Sequence, residues 1–177
     1  CRNNIISITK INNFKYFYDF KIYMEKINHA VTEANNSFRT ADHLAYVSYP
    51  LLRDNKLLLI ITKNLYITAL KSVDAVLHYE RMYKRINILP TDFDTKMIIF
   101  EKEIVPKMNI KPNVSKVIRD LRFIVQQHKD SPIEFSRKEK FVICSDDYSS
   151  MKTIDIEMLK SYIVIMREFL TIINRLK

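Results

Sequence analysis

The chain of 177 residues contains no glycine. Glycine adopts positive φ without a steric penalty, and it serves tight turns and loops in which the backbone approaches a phosphate. A P-loop and the glycine-rich dinucleotide fingerprint both require it, so neither can occur here. The absence also counts against tight β-hairpins. Helices joined by short polar connections are therefore the architecture that this sequence builds most easily.

Apolar residues recur at three- and four-residue steps along most of the chain, which is the pattern of amphipathic helices. Five prolines mark probable ends or kinks of these helices, because proline disrupts a helix interior. The pattern predicts five helices: about 23–48, about 55–86, from Thr91 or Asp92 to the region of Pro106, from the segment NIKPNVSK to Pro132, and from about Thr153 to the last residues.

We therefore predict an all-α fold, an antiparallel up-and-down bundle of about five helices. A short extended or β-like excursion is expected near 135–148, with Phe135 and the run Phe141–Cys144 as its extended parts and SDDYSS as its turn. Residues 24–177 are predicted to form a single domain. Residues 1–23 are rich in asparagine and aromatic side chains, and we interpret them as an N-terminal extension or docking arm.

The formal net charge of +9 favours acidic partners such as nucleic acid or anionic lipid heads. A lysine-rich surface without a specific partner would give the same charge. The two cysteines lie far apart and form no CxxC pair, which fits a reducing cytosol. No apolar stretch is long enough to span a membrane, and no signal peptide is evident. We expect a cytoplasmic protein with no membrane partner.

Two basic clusters are candidates for nucleic-acid binding. The segment ERMYKR contributes Arg81, Lys84 and Arg85, and the segment SRKEK contributes Arg137, Lys138 and Lys140. Cations neutralise phosphates, while neighbouring aromatic rings can stack on unpaired bases. The first cluster has an alternative explanation, because cations in the last turn of a helix interact favourably with its dipole.

A metal site is a further alternative. Asp74 and His78 are four residues apart and share a helix face, and His43 could join them. Such pairs are more often local hydrogen bonds. The chain has no Glu-x-x-His segment of the kind that di-metal bundles use. We expect neither a metal nor a cofactor.

The segment LRFIVQQHKD places Arg122 six residues before His128. At about 100° per residue, the two side chains lie roughly 120° and about 9 Å apart on one helix. His128 falls within about 20° of the centre of the apolar stripe, so it is expected to pack at the helix end against the core. Phe123 falls on the polar side, about 160° from the stripe centre, which predicts that another helix or a second subunit packs there.

An arginine followed at this spacing by a histidine, within a helical bundle, resembles the HEPN superfamily. The resemblance implies a compact dimeric bundle and, in many members, a metal-independent endoribonuclease. It implies that His128 takes the 2′-hydroxyl proton and that Arg122 stabilises the developing charge, in a site composed by two subunits. Phe123 departs from the family pattern, in which a polar residue commonly follows the arginine. In overall character the chain also resembles small helical proteins of archaea with AT-rich genomes.

The leading hypothesis is a basic helical-bundle protein that acts by association, as a homodimer, with RNA or another acidic partner. The ribonuclease that uses Arg122 and His128 is the alternative. A metal-binding bundle around Asp74 and His78 is the second alternative.

Overall fold

A computed structural model of the chain describes residues 2–131, 133–144 and 151–176, with side chains from Asp19 onwards. Five continuous helical stretches and one small sheet follow each other along the chain. The elements are α1 (Arg2–His43), a π-helical segment (Leu44–Ser48), α2 (Tyr49–Leu52), α3 (Lys56–Met82), α4 (Phe93–Ile99), a second π-helical segment (Phe100–Ile104), α5 (Val105–Lys107), α6 (Asn113–Asp130), β1 (Ile133–Arg137), β2 (Lys140–Cys144), β3 (Met151–Asp155), α7 (Ile156–Ile173) and a 3-10 turn (Asn174–Leu176).

The predicted helical bundle and its short β excursion are both confirmed. The excursion is a three-stranded antiparallel sheet in the order β1-β2-β3. The segment SDDYSS, predicted to be its turn, lies outside the described residues. The first helix begins at Arg2 rather than near Tyr23. Residues 2–23, predicted as an extension, are therefore part of this helix.

Helix α3 forms the centre of the bundle. It runs antiparallel to α1, because Tyr23 contacts His78 at one end of the pair while Tyr49 contacts Asn55 at the other. Its other sides pack against α6 and α7. The fully buried side chains Leu58, Ile61 and Leu65 follow the apolar stripe that the sequence indicates.

Pro50 does not end its helix where the sequence suggests, whereas the helix that contains Pro106 ends at Lys107, close to its predicted end. Pro50 and Pro106 each lie two residues after a π-helical segment, and the helix continues through both. Proline has no N–H to donate and its ring collides with the carbonyl four residues earlier. A π-helical turn changes the pairing of the preceding carbonyls, which accommodates the proline. The first stretch therefore ends at Leu52, where Arg53 adopts a φ of 50°.

The sheet packs one face onto the bundle. Phe141, Ile143 and Ile154 point inwards and are buried. The next helix begins at Asp155, whose side chain accepts a hydrogen bond from the Met158 N–H at 2.9 Å and caps α7. No helix of the described residues is long and apolar enough to cross a membrane.

Candidate nucleic-acid interface

The outer face of the sheet carries the second predicted basic cluster. Alternate residues of a strand point to opposite faces. The strand register aligns Phe135 with Val142, and Val142 with Thr153. The same register pairs Arg137 with Lys140. One face of the sheet therefore presents an aromatic ring beside two of the three predicted cations.

An open cavity of about 970 Å³ lies over this face. Phe135 is 42% exposed within it. Among the described residues, no second aromatic ring packs against Phe135. The residues that give the cavity its chemistry are Phe135, Arg137, Lys138, Lys140, Val142 and Thr153.

The three carboxylates of the cavity have cationic partners within the chain. The distances are 3.9 Å from Glu139 to Arg53, 3.9 Å from Asp155 to Lys140, and 3.0 Å from Glu157 to Lys160. In contrast, the side chains of Arg137 and Lys138 form no ion pair or hydrogen bond with any residue that the structure describes. The cavity lining holds three cations and three carboxylates, and the cations without an ionic partner in the described structure are those at the hairpin turn.

The turn between β1 and β2 is held from below by the helical hairpin. Lys138 adopts a φ of 54°, a conformation that glycine usually supplies in such turns. The side-chain amide of Asn55 donates to the Lys138 carbonyl at 2.8 Å. The Tyr49 hydroxyl lies 3.2 Å from the Asn55 Oδ1 and 3.4 Å from the Glu139 carbonyl. These contacts fix the backbone that presents Arg137 and Lys138. Short-range sequence patterns do not indicate this role of Asn55, because its partners lie more than 80 residues away.

The first basic cluster is turned towards its own chain. The Arg81 guanidinium donates to the Ile86 carbonyl at 3.1 Å. Arg85 pairs with the buried carboxylate of Glu80 at 3.0 Å and lies over the Tyr83 ring at 4.9 Å. Lys84 also interacts within the chain. Only Arg81 lies in the last turn of α3, because the helix ends at Met82 and Lys84 and Arg85 follow it.

The structure does not bring Arg122 and His128 together within one chain. The Arg122 guanidinium lies 4.0 Å from the centre of the Phe93 ring and 3.9 Å from Asp94. The His128 Nδ1 instead contacts the carboxylate of Glu134 on β1. No hydrogen bond or ion pair joins the two residues in the described structure. A site that uses both therefore requires a second subunit.

The sheet contacts α6 at two different places, at His128 through β1 and at Phe123 through β3. His128 is half-buried by β1 rather than enclosed in the helical core, because the sheet covers this flank of α6. The Lys152 ammonium of β3 lies 6.0 Å from the centre of the Phe123 ring. Phe123 nevertheless remains 47% exposed. This contact comes from the sheet and not from another helix or a second subunit, so the packing predicted at Phe123 stays a prediction.

The structure separates His43 from the other two proposed metal ligands, whereas Asp74 and His78 remain neighbours on α3 and line one open pocket. His78 contacts Tyr23 near one end of the α1–α3 pair, whereas His43 is exposed near the other end. At 1.5 Å per residue, the twenty residues from Tyr23 to His43 span roughly 30 Å. Asp74 pairs with Lys96 at 2.7 Å. Among the described residues, no group of three His, Cys, Asp or Glu side chains could hold a metal ion.

A polar cluster that the sequence did not indicate joins α6, β3 and α7. The Tyr162 hydroxyl donates to Asp120, and the Lys152 ammonium lies 3.0 Å from the other oxygen of that carboxylate. Burial opposes ionisation of Asp120, but these hydrogen bonds and the charges of Lys152 and Lys116 outweigh it and lower the pKa of Asp120. Burial, followed by the hydrogen bond to Asp120, raises the pKa of Tyr162. The cluster fastens the sheet to the bundle.

Comparison of the chain with protein-family models, with curated proteins and with solved structures finds no match.

The lowered pKa of Asp120 predicts that its contacts with Lys152 and Tyr162 stabilise the fold less in acid. Its contribution to stability is present above the ordinary aspartate pKa of 3.8 and is lost as the pH falls through the lower folded value. In Asp120→Asn we expect a loss of about 1–3 kcal/mol at pH 7, because Lys152 loses its charged partner. The variant should also lose less stability than the native chain below pH 3.8. Urea unfolding at a series of pH values measures both effects.

The matched control is Asp130→Asn, which changes an exposed carboxylate at the end of α6. It should leave the pH dependence of unfolding close to that of the native chain. If Asp120→Asn and the native chain lost the same free energy of unfolding in acid, the stabilising role of the Asp120 carboxylate would be contradicted.

Proposed function

We propose that this chain is a basic helical-bundle protein that acts by association and binds nucleic acid, RNA foremost, at the outer face of its sheet. The observation that carries the proposal is the placement of Arg137 and Lys138. Both are exposed at the rim of an open cavity, and neither has an acidic partner among the described residues. Phosphates are the partners that such cations neutralise, and released counterions supply the affinity.

The contrast between the two basic clusters supports this choice of surface. Arg81 and Arg85 already donate to groups of their own chain. Breaking the contact between Arg85 and Glu80 would leave a buried carboxylate with one partner fewer, which is costly. Arg137 and Lys138 can engage phosphates without losing an internal ion pair in the described structure.

Removal of these two charges should weaken RNA binding and its dependence on salt. For Arg137→Gln with Lys138→Gln, we expect the slope of log affinity against log salt to fall by roughly 1.4, since each phosphate contact on a single strand contributes about 0.7. Fluorescence anisotropy with a labelled oligoribonucleotide, at several salt concentrations, measures the slope.

The control is Lys63→Gln with Lys102→Gln, which removes the same charge from exposed helical positions. A purely nonspecific attraction to the +9 chain would make the two double variants equivalent. That equivalence, or no RNA binding by the native chain, would overturn the proposal.

We further propose a homodimer in the cytoplasm. Four exposed apolar side chains, Tyr46, Val47, Leu51 and Leu52, form an apolar tip at the end of α1 and α2. Leu51 and Leu52 are 78% and 68% exposed, and such a concentration of exposed apolar surface is typical of an interaction site. Arg53, Asp54 and Lys56 follow directly, so the border has both signs of charge, as a self-complementary contact requires. The free thiol of Cys144 fits a reducing compartment.

The dimer should depend on the apolar tip. We expect Leu51→Glu with Leu52→Glu to shift the protein to a monomer, because burial of a charge in the interface is unfavourable. Ile88→Glu with Ile98→Glu changes two other exposed isoleucines and should leave the dimer intact. Light scattering coupled to gel filtration gives the mass. A native monomer at high concentration would contradict the dimer, and a dimer that survives in the tip variant would contradict this interface.

The ribonuclease remains a second proposal. The contact between Glu134 and the His128 Nδ1 favours a proton on that nitrogen, which leaves Nε2 to accept a proton as a general base. Arg122 would have to come from the partner subunit, since its own chain engages it with Phe93.

This proposal predicts RNA cleavage that persists in a metal chelator and that falls at least ~100-fold in His128→Ala, the lower end of general-base contributions. Gel analysis of an end-labelled RNA measures it. His29→Ala, which changes an exposed histidine on α1, should cleave like the native chain. Equal cleavage by the native chain and His128→Ala, or none by either, would exclude His128 as the base.

A further inference from the structure

We infer that the partner of the sheet face is a single strand of nucleic acid, with an unpaired base stacked on the ring of Phe135. The inference rests on the proposed function and names its class of ligand. Its starting point is Phe135, which lines the cavity, is 42% exposed and contacts no other aromatic ring among the described residues.

The cross-strand neighbours of Phe135 on its own face of the sheet are uncharged. Val142 stands opposite it on β2, and Thr153 stands next in line on β3. Neither side chain carries a charge that would have to lose its hydration when a base arrives. A base placed on the ring would therefore bury apolar surface and gain stacking at little cost, and stacking accepts any base because every base has a π-face.

The cations lie one residue pair further along the same strand. Phe135 and Arg137 point to the same face, at a spacing of about 6.8 Å along the strand. Lys138 follows at the turn, whose backbone is held by the hydrogen bond from Asn55. A nucleotide whose base covers Phe135 can thus direct its phosphate towards Arg137 and Lys138. The ring and the cations together match the two chemical parts of one nucleotide.

A duplex does not match this arrangement. Its base faces are covered by neighbouring base pairs, and only base edges and the backbone are accessible in its grooves. Phe135 lies on the face of the sheet, and in a groove its ring would meet no exposed base face on which to stack. A duplex could reach only the cations at the rim. An acidic peptide would use the same cations and would likewise gain nothing specific from the ring.

The test compares Phe135→Leu with Phe123→Leu. Both changes remove an aromatic ring that is about half exposed and keep an apolar side chain. Phe123 also has a lysine nearby, since Lys152 lies 6.0 Å from its ring. It therefore reproduces the combination of ring and cation outside the cavity. Circular dichroism and thermal unfolding confirm that both variants fold.

Binding is measured by anisotropy with a single-stranded oligonucleotide of mixed sequence and with the duplex formed by the same sequence. We expect the native chain to bind the single strand more tightly than the duplex. Phe135→Leu should weaken single-strand binding roughly 5- to 150-fold, the loss expected for one stacked base. It should leave the salt slope unchanged, since no phosphate contact is lost. Phe123→Leu should bind within about twofold of the native chain, because the loss of an uninvolved exposed ring has little effect.

The outcomes separate this inference from the proposed function. Equal binding of single strand and duplex, or unchanged binding by Phe135→Leu, would overturn the stacked single strand while leaving a charge-based nucleic-acid contact at Arg137 and Lys138. Competition by a polyglutamate peptide as strong as that of the oligonucleotide would overturn it in favour of an acidic peptide. No binding of either nucleic acid would overturn both.

Discussion

The fold depends on turns that reverse the chain without glycine. Arg53, Lys84, Asn109 and Lys138 all adopt positive φ, where a side chain brings Cβ close to the backbone at a cost of about 1–2 kcal/mol per residue. Hydrogen bonds close to each position offset this cost. The Arg53 N–H donates to Tyr49 at 2.8 Å at the end of α2, and the Lys84 N–H donates to Arg81 at 2.9 Å after α3. At Lys138 the bond comes from Asn55, a residue distant in sequence. Each turn is thus stabilised by the structure around it.

Three of these four residues are cations, so the residues that occupy the turns also decide where positive charge lies on the molecule. Arg53, Lys84 and Lys138 each place a positively charged side chain at a turn. At the end of α3 positive charge is neutralised within the chain, because the buried carboxylate of Glu80 pairs with Arg85 and Lys107. At the β1–β2 turn it is left to solvent. Whether the charge of a turn is neutralised within the chain therefore follows from whether a carboxylate is buried beside it.

The small sheet connects these local features to the bundle. Its inner residues Phe141 and Ile143 are buried against the helices, and Asp120 holds Lys152 through an ion pair of 3.0 Å. The tie at Asn55 adds a contact from the α1–α3 hairpin to the turn. With its inner face fastened, the sheet can leave Phe135 open on the outer face. Rigid support on one side and an open surface on the other are what a binding site requires.

The sequence by itself determined the helical bundle, the position of the extended segment and the two basic clusters, because helical periodicity and charge are local properties of the chain. It also indicated the apolar stripe of α6, from Val114 to Val125, which is buried as expected. Only the tertiary structure decided which polar groups meet. Arg122 contacts Phe93 and not His128. His128 instead contacts Glu134, because the sheet covers one flank of α6. The structure also contains a tight hairpin, although the lack of glycine had argued against one. Its turn is stabilised by a hydrogen bond from Asn55, which is 83 residues away in sequence and so is not visible in a local pattern.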